Sequence, residues 1–263
     1  MKARRLAKRF IGGLIERAGR VTYDNCIFIL AHMRCGSTAL SNIICSRPDV
    51  NGYGEAHIRY SVPGALGRLA LNHVVRDGWS RQAPYMFDKV LHSRLDTGAP
   101  PEFFTSRAIF VLREPEPTIR SICNLYEKIG RDEFRSKEAA AHYYVARVEA
   151  LAGLWDRFPA DRRIGMTHKG LMHDPERALA AISHHLGFAP PLANRYESRA
   201  ASRKGGGGDP LVSGRHERIE PALLRPSRPV ETLSIPAELA HAAGARFDEL
   251  RTRIAASWPD LAL

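Results

Sequence analysis

The sequence predicts an α/β fold in which a central, mainly parallel sheet is flanked by helices. Short, nearly continuous apolar runs recur along the chain, as in strands that are buried on both faces. Segments with helical periodicity follow these runs. Strands that alternate with helices favour a parallel sheet, because a helix supplies the crossover that parallel strands need.

Each of these elements has a recognisable boundary. The strand candidates are Cys26–Ala31, Tyr85–His92, Ala108–Leu112 and Arg163–Thr167. The helix candidates are Thr38–Cys45, Ala65–Val75, a helix opened by Pro115 and Pro117, Ala139–Phe158, a helix from Pro175 to a stop at Gly187, and Ala237–Trp258. Proline is tolerated in a first helical turn and glycine commonly ends a helix, so these residues fix several of the limits.

Length and composition indicate one domain behind a short basic segment. The chain has 263 residues and is 44% hydrophobic, which is enough for one sizeable core. We expect a single domain over residues 21–263, preceded by a basic helix over residues 1–20. That helix either packs on the domain or lies weakly on an anionic membrane surface. The sequence lacks a long apolar run and a CxxC pair, so we expect a soluble cytoplasmic protein with reduced thiols.

The charge of the chain indicates a polyanionic ligand. Lys and Arg number 39 against 28 Asp and Glu, a net charge of +11. A nucleotide with several phosphates, a nucleic acid or an acidic glycan fits this balance. Aromatic interleaving and a recognised nucleic-acid motif are missing, so we do not expect nucleic acid as the partner. The histidines and cysteines also lack metal-ligand spacing, and we expect no metal.

The segment between the first strand and its helix has the composition of an anion-binding loop. A glycine lets the backbone approach a ligand, hydroxyls and an arginine add donors, and the helix amides point at one place. An ordinary turn capped by Ser or Thr is the alternative. The pattern GxxxxGK[ST] is absent, which weakens a kinase interpretation. The candidate loop residues are Arg34, Cys35, Gly36, Ser37, Thr38 and Ala39.

The motif RCGST resembles the 5'-phosphosulfate loop of sulfotransferases that use 3'-phosphoadenosine-5'-phosphosulfate (PAPS). Arg113, at the end of a predicted strand, and Ser121, on the next helix, resemble the 3'-phosphate site of that family. Arg113 also stands where ligands of open α/β sheets bind. The resemblance implies a three-layer P-loop-type fold, PAPS as donor and 3',5'-adenosine bisphosphate as product.

Two later segments extend the resemblance. Thr167–Leu171, followed by Asp174–Glu176, is similar to the family's adenine-side segment, with His168 where an aromatic residue is usual. The Gly-rich loop around residues 202–214 resembles the segment that closes over the 3'-phosphate. Its candidate ligands are Arg203, Lys204 and Gly205, although a solvated basic linker would have the same composition.

The catalytic candidates follow from the same resemblance. Arg34 would hold the 5'-phosphate, and Lys89 falls near the family's lysine that contacts the transferring sulfuryl group. Glu55 and His92 both qualify as the general base, with His57 a third choice. We favour Glu55, but the residues alone leave His92 open.

The remaining expectations concern the acceptor and two alternative functions. We expect a hydroxyl or amine acceptor on a small molecule or glycan, contacted by segments near 56–84 and 126–140. A P-loop nucleotide kinase, which would require magnesium, and a basic nucleic-acid-binding module are the alternative functions. The oligomeric state cannot be inferred from the residues.

Overall fold

A computed structural model describes residues 11–16, 21–76, 78–197, 216–221 and 233–263. Five strands form one sheet in the order β2-β3-β1-β4-β5, and every neighbouring pair is parallel. The strands are β1 (Cys26–Ala31), β2 (Val50–Asn51), β3 (Tyr85–Val90), β4 (Arg107–Leu112) and β5 (Arg163–Thr167). The predicted α/β fold with a central parallel sheet is confirmed.

Helices precede or follow the strands throughout the chain. They are α1 (Ser37–Cys45), α2 (Ala65–Arg76), α3 (Ser93–Asp96), α4 (Pro115–Lys128), α5 (Lys137–Arg157), α6 (His168–His173), α7 (Pro175–Leu186) and α8 (Ala237–Ser257). The six predicted helices are present with ends within about two residues of those expected, a usual margin for helix ends. The short elements β2, α3 and α6 were not predicted.

β1 is the centre of the core. All six of its side chains, Cys26 to Ala31, are buried. Successive side chains of a strand point to opposite faces, so both faces of the sheet are covered at this strand. The apolar run CIFILA therefore serves two layers of packing at once.

The sheet changes direction of growth at β1. The chain continues from β1 to β2 and β3 on one side, and then crosses to β4 and β5 on the other. Ligands of open α/β sheets bind at such a switch point, outside the carboxyl ends of the strands. Arg34 follows β1 and Arg113 follows β4, so both lie beside this switch point.

Side chains of helix α5 hydrogen-bond to the backbone at the carboxyl ends of the central strands. Tyr143 Oη accepts from the amide of Met33 at 2.9 Å and donates to the carbonyl of Leu91 at 2.7 Å. Tyr144 Oη donates to the carbonyl of Arg113 at 2.7 Å. These hydroxyls satisfy backbone groups that the sheet leaves unpaired.

Arg147 of α5, which is fully buried, also bonds to the ends of these strands. Its guanidinium donates to the carbonyls of Ala31 and Val90, both at 2.9 Å, and pairs with Asp96 at 2.8 Å. A buried charge requires partners of this kind, because it has lost its hydration. The ends of β1, β3 and β4 are thus held by one helix.

Residues 11–16 are helical and lie against α2. A Cβ placed on Gly67 would collide with the carbonyl oxygen of Gly12, and Glu16 accepts a hydrogen bond from the amide of Leu66 at 2.7 Å. The rest of the predicted helix over residues 1–20 lies outside the described residues, and its contact with lipid stays a prediction. Among the described helices, none combines the length and the apolar character that crossing a bilayer demands.

Candidate functional site

The loop after β1 turns sharply before α1 begins. Arg34 has φ +65° and Gly36 has φ +87°, both in the left-handed region. Gly36 precedes α1 and has no side chain with which to cap the first amides of that helix. The amides of the first helical turn and the helix dipole favour an anion here.

Lys89 reaches this loop from β3. Its side chain is only 1% exposed, and Nζ lies 3.2 Å from Thr38 Oγ1 and 3.3 Å from Glu55 Oε1. Thr38 belongs to the first turn of α1, and Glu55 belongs to the segment after β2. Three separate parts of the chain therefore meet at one ammonium group.

Glu55 stands on a tight turn with a partly accessible carboxylate. Its side chain is 12% exposed, and Oε2 lies 3.9 Å from His57 Nδ1. Gly54 has φ +126° and His57 has φ +54°, so left-handed residues stand close on either side. The carboxylate can contact both Lys89 and a molecule in the adjoining cavity.

His92 lies in the same cavity as Glu55. Burial, followed by the charges of Arg94 and Arg147, lowers the pKa of His92 to about 4. The imidazole is therefore neutral at physiological pH and retains a free nitrogen lone pair. Both base candidates thus remain chemically competent.

Arg113 is held at the end of β4 by a buried histidine. Its amide donates to His32 Nε2 at 2.9 Å, while His32 Nδ1 lies 2.9 Å from the carbonyl of Met33. A carbonyl only accepts, so the proton is on Nδ1. Burial lowers the pKa of His32 to about 3, which keeps the ring neutral. His32 was not predicted as a site residue.

The Arg113 side chain retains an unused donor. Nη1 donates to the carbonyl of Arg34 at 2.9 Å, whereas Nε is buried and has no partner among the described residues. Buried donors of this kind cost free energy unless something accepts from them. An anion in the adjoining cavity would supply the acceptor.

Ser121, predicted beside Arg113 at the 3'-phosphate site, is bonded to Arg34. Its Oγ accepts from Arg34 Nε at 2.8 Å, and within the described chain it does not line the cavity. Ser121 therefore fixes the side chain of Arg34 from α4. The sequence could not show this, because Arg34 and Arg113 both lie near α4.

His168 closes the loop from the side of β5. A Cβ added to Gly36 would lie 2.9 Å from His168 Cδ2, so the imidazole is next to the loop backbone. Burial lowers its pKa to about 4, with a further contribution from Arg113. Thr167 orients this residue by accepting from the amide of Gly170 at 2.9 Å at the start of α6.

These groups surround a cavity of about 590 Å³. The predicted site residues that line it are Arg34, Gly36, Ser37, Thr38, Glu55, Lys89, His92, Arg113 and His168. Among the described residues, Cys35 is buried behind the loop, and neither Cys35 nor Ala39 lines the cavity. Arg203, Lys204 and Gly205 lie outside the described residues. Leu125, Tyr126 and Ile129 form an apolar part of the wall.

Comparison with known proteins relates this architecture to two solved structures. No protein-family model and no curated protein matches the sequence. The sulfotransferase domain from the curacin biosynthetic pathway is 16% identical and superposes with a TM-score of 0.57, over 83% of this chain and 96% of that domain. The sulfotransferase domain of the Synechococcus PCC 7002 olefin synthase is 18% identical, with a TM-score of 0.58 over 86% and 94%.

The chain has the sulfotransferase fold. The predicted sulfotransferase-type architecture is therefore confirmed at the level of the fold. At these identities the likeness concerns the backbone, and the chemistry depends on the cavity residues described above.

Proposed function

We propose that the chain transfers a sulfuryl group from PAPS to a hydroxyl or amine of an acceptor and releases 3',5'-adenosine bisphosphate. The observation that carries the proposal is the buried Lys89 ammonium, which lies between Thr38 of α1 and the Glu55 carboxylate. This arrangement joins an anion-binding loop, a cation and a base within one cavity, on a sulfotransferase fold.

The described residues fit a donor with phosphates at two positions. The 5'-phosphosulfate end would lie on the amides that begin α1, with Arg34 beside it. The buried Nε of Arg113 supports a second anion, assigned here to the 3'-phosphate. His168, adjoining Gly36, would contact the nucleoside part of the donor.

The proposed chemistry needs only charge stabilisation and one proton acceptor. When bound, PAPS supplies a sulfuryl group activated by its phosphate leaving group. Lys89 would stabilise the negative charge that grows on the leaving phosphate, and its burial strengthens that interaction. Glu55 would accept the proton that the acceptor hydroxyl or amine gives up.

Glu55 is the preferred base because its carboxylate lies next to Lys89, where the transferring group would be. Its other oxygen is on the side of His57. His92 is the rival, because it lines the same cavity and its lowered pKa leaves the ring unprotonated. Substitution of each residue in turn tests the choice.

The acceptor would occupy the part of the cavity formed by α4 and the segment that follows it. Leu125, Tyr126 and Ile129 make this wall apolar, while Arg131 and Glu133 also line the cavity there. The wall supports a small-molecule acceptor with an apolar portion.

The free thiols of all four cysteines support a reducing, cytoplasmic compartment.

Calorimetric titration with 3',5'-adenosine bisphosphate tests the proposal. We expect binding and a raised melting temperature, equivalent to about 2.7 kcal/mol of added stability at a concentration 100 times Kd. ATP with Mg²⁺ serves as the parallel ligand for a kinase. Tight binding of ATP–Mg²⁺ without any response to the bisphosphate would overturn the proposed function.

Arg113→Ala tests how the donor is held. We expect it to weaken the bisphosphate about tenfold or more and to leave adenosine 5'-monophosphate nearly unaffected, because only one phosphate loses a partner. Arg120→Ala is the matched control, since Arg120 lies on α4, pairs with Glu116 and is outside the set of described cavity residues. An equal loss for both nucleotides would assign Arg113 a structural role only.

A further inference from the structure

We propose that Asp88 is a positioning residue that holds the Glu55 turn against β3, so that the Glu55 carboxylate stays beside Lys89. Asp88 does not line the cavity among the described residues and would act only through Glu55. The inference rests on the proposed function, in which Glu55 is the base.

Asp88 is a buried carboxyl group with three donors around it. Oδ1 accepts from the amide of Ala56 at 2.7 Å and from the amide of Lys89 at 2.8 Å. Oδ2 accepts from the hydroxyl of Tyr60 at 2.6 Å. Ala56 and Tyr60 belong to the segment that carries Glu55, and the remaining donor is the backbone amide of Lys89, which also donates to the carbonyl of Gly54.

The turn is attached to β3 on both sides of Glu55. Before Glu55, the carbonyl of Gly54 accepts from the amide of Lys89 at 3.1 Å. After Glu55, the amide of Ala56 donates to Asp88. A residue fixed at both its neighbours has little freedom in the backbone, so these two bonds set the backbone position from which the Glu55 carboxylate reaches Lys89.

The turn needs such support because its backbone is unusual. His57 has φ +54°, a conformation that costs free energy for a residue with a side chain. Strained segments of this kind persist only where neighbouring contacts hold them. The Asp88 carboxyl group holds the residue before His57, because it accepts from the amide of Ala56.

Burying the Asp88 carboxyl group within the strand costs free energy. It stands in an apolar strand opposite Phe28, and burial raises its pKa to about 7. The groups that face it are Tyr60 from the turn segment, Cys26 from β1 and the Glu55 carboxylate. A cost of this kind is offset only where the group makes specific bonds, and here those bonds are to the Glu55 turn.

A double-mutant cycle between Asp88→Asn and Glu55→Gln tests the inference. The rate is measured as release of 3',5'-adenosine bisphosphate from PAPS, with the best acceptor found in a panel of phenols, alcohols and amines. We expect Asp88→Asn to lower kcat about tenfold or more, with little change in either KM or in bisphosphate affinity. In the Glu55→Gln background the same change should have little further effect, because it acts through the missing carboxylate.

Amide hydrogen exchange provides a readout that needs no acceptor. In Asp88→Asn the Ala56 amide should exchange about tenfold faster or more, since a weaker acceptor replaces a carboxylate. Tyr60→Phe is the matched control, because it removes the third donor and leaves both turn bonds intact. It should keep most of kcat and the slow exchange of Ala56.

Additive losses in the cycle, or an unchanged Ala56 exchange rate, would overturn the positioning role. Those outcomes differ from a failure of the proposed function, which would appear in the wild-type protein as absent bisphosphate binding. Full activity in Glu55→Gln would overturn both the base assignment and the role of Asp88.

Discussion

Lys89 is the residue on which the proposed site depends, because its charge is buried and must be balanced nearby. Thr38 and Glu55 supply that balance from two different segments. Removing one partner of a buried charge pair is typically more harmful than removing both. Substitutions at Glu55 therefore need an isosteric replacement, so that catalysis and folding are affected separately.

Glu55→Gln is expected to lower turnover by roughly a hundredfold or more, with bisphosphate affinity nearly unchanged. General-base catalysis typically contributes ~10²–10⁴, and the amide retains the shape of the side chain and an oxygen near Lys89. Single-turnover rates with PAPS and an identified acceptor measure this effect.

His92→Asn is the matched variant for the rival base. Asn keeps a hydrogen-bonding group but cannot accept a proton, so only a catalytic role would make it as damaging as Glu55→Gln. Collapse of chemistry in His92→Asn beside near-normal Glu55→Gln would transfer the base role to His92. If both variants stay active, neither residue is the base.

Helix α5 is the element that makes the site rigid, because it binds the ends of three strands at once. Tyr143, Tyr144 and Arg147 satisfy backbone groups after β1, β3 and β4. Arg113 is held through its carbonyl by Tyr144 and through its amide by His32. The position of Arg113, the proposed contact of the 3'-phosphate, therefore depends on a helix none of whose described residues lines the cavity.

Arg147→Met is expected to destabilise the protein by about 3–5 kcal/mol, because it leaves the Asp96 carboxylate buried and unpaired. Adding Asp96→Leu should restore much of that loss by removing the orphan charge. Urea unfolding of Arg147→Met, of the double variant and of a control, Arg253→Ala, measures these differences in stability. Arg253→Ala, which breaks two more exposed pairs, with Asp156 and Glu249, should cost no more than about 1 kcal/mol per pair. A similarly small loss in Arg147→Met would contradict the role given to α5.

The long elements were predictable because their own periodicity defines them. β1 and β5 have the predicted limits, and Gly187 ends α7 in the left-handed conformation. β2 has two residues and α3 has four, which is too short for a periodic pattern. These elements exist because the neighbouring chain positions them.

The site was predictable only where a local motif carries it. The loop after β1 and the lysine of β3 are visible in sequence, and the structure brings them together. The pairing of Ser121 with Arg34 and the contact of His32 with Arg113 join residues more than eighty positions apart. Asp88 offered a signal in the form of a charge within an apolar strand, but its partners are a tertiary property.

At the scale of the whole molecule, histidine burial is a common feature of the core and site. Burial lowers the pKa values of five histidines: to about 3 in His32, to about 4 in His73, His92 and His168, and in the same direction in His185. In the unfolded chain these rings protonate near pH 6.5. The raised pKa values of Asp88 and Asp96 act in the opposite direction.

Stability is expected to fall as the pH drops from about 6.5 towards 4. In this window the unfolded chain binds protons on histidines that stay neutral in the folded protein, so acid favours unfolding. The buried histidines outweigh the opposing carboxyl groups, and we expect a net loss of several kcal/mol of stability at pH 5 relative to pH 7. Urea unfolding at a series of pH values measures it. A constant midpoint between pH 7 and pH 5 would contradict the neutral state of the buried histidines.

The central place of β1 in the sheet has a consequence for synthesis on the ribosome. Both of its neighbours, β3 and β4, are encoded later than β1, and β4 ends about eighty residues after it. At translation rates of about 5–20 residues per second, synthesis of β4 is complete roughly 4–16 s after that of β1, and until then CIFILA lacks its second partner. An unpaired apolar strand is a template for association with other chains. The nascent chain is therefore most exposed to aggregation before β4 emerges.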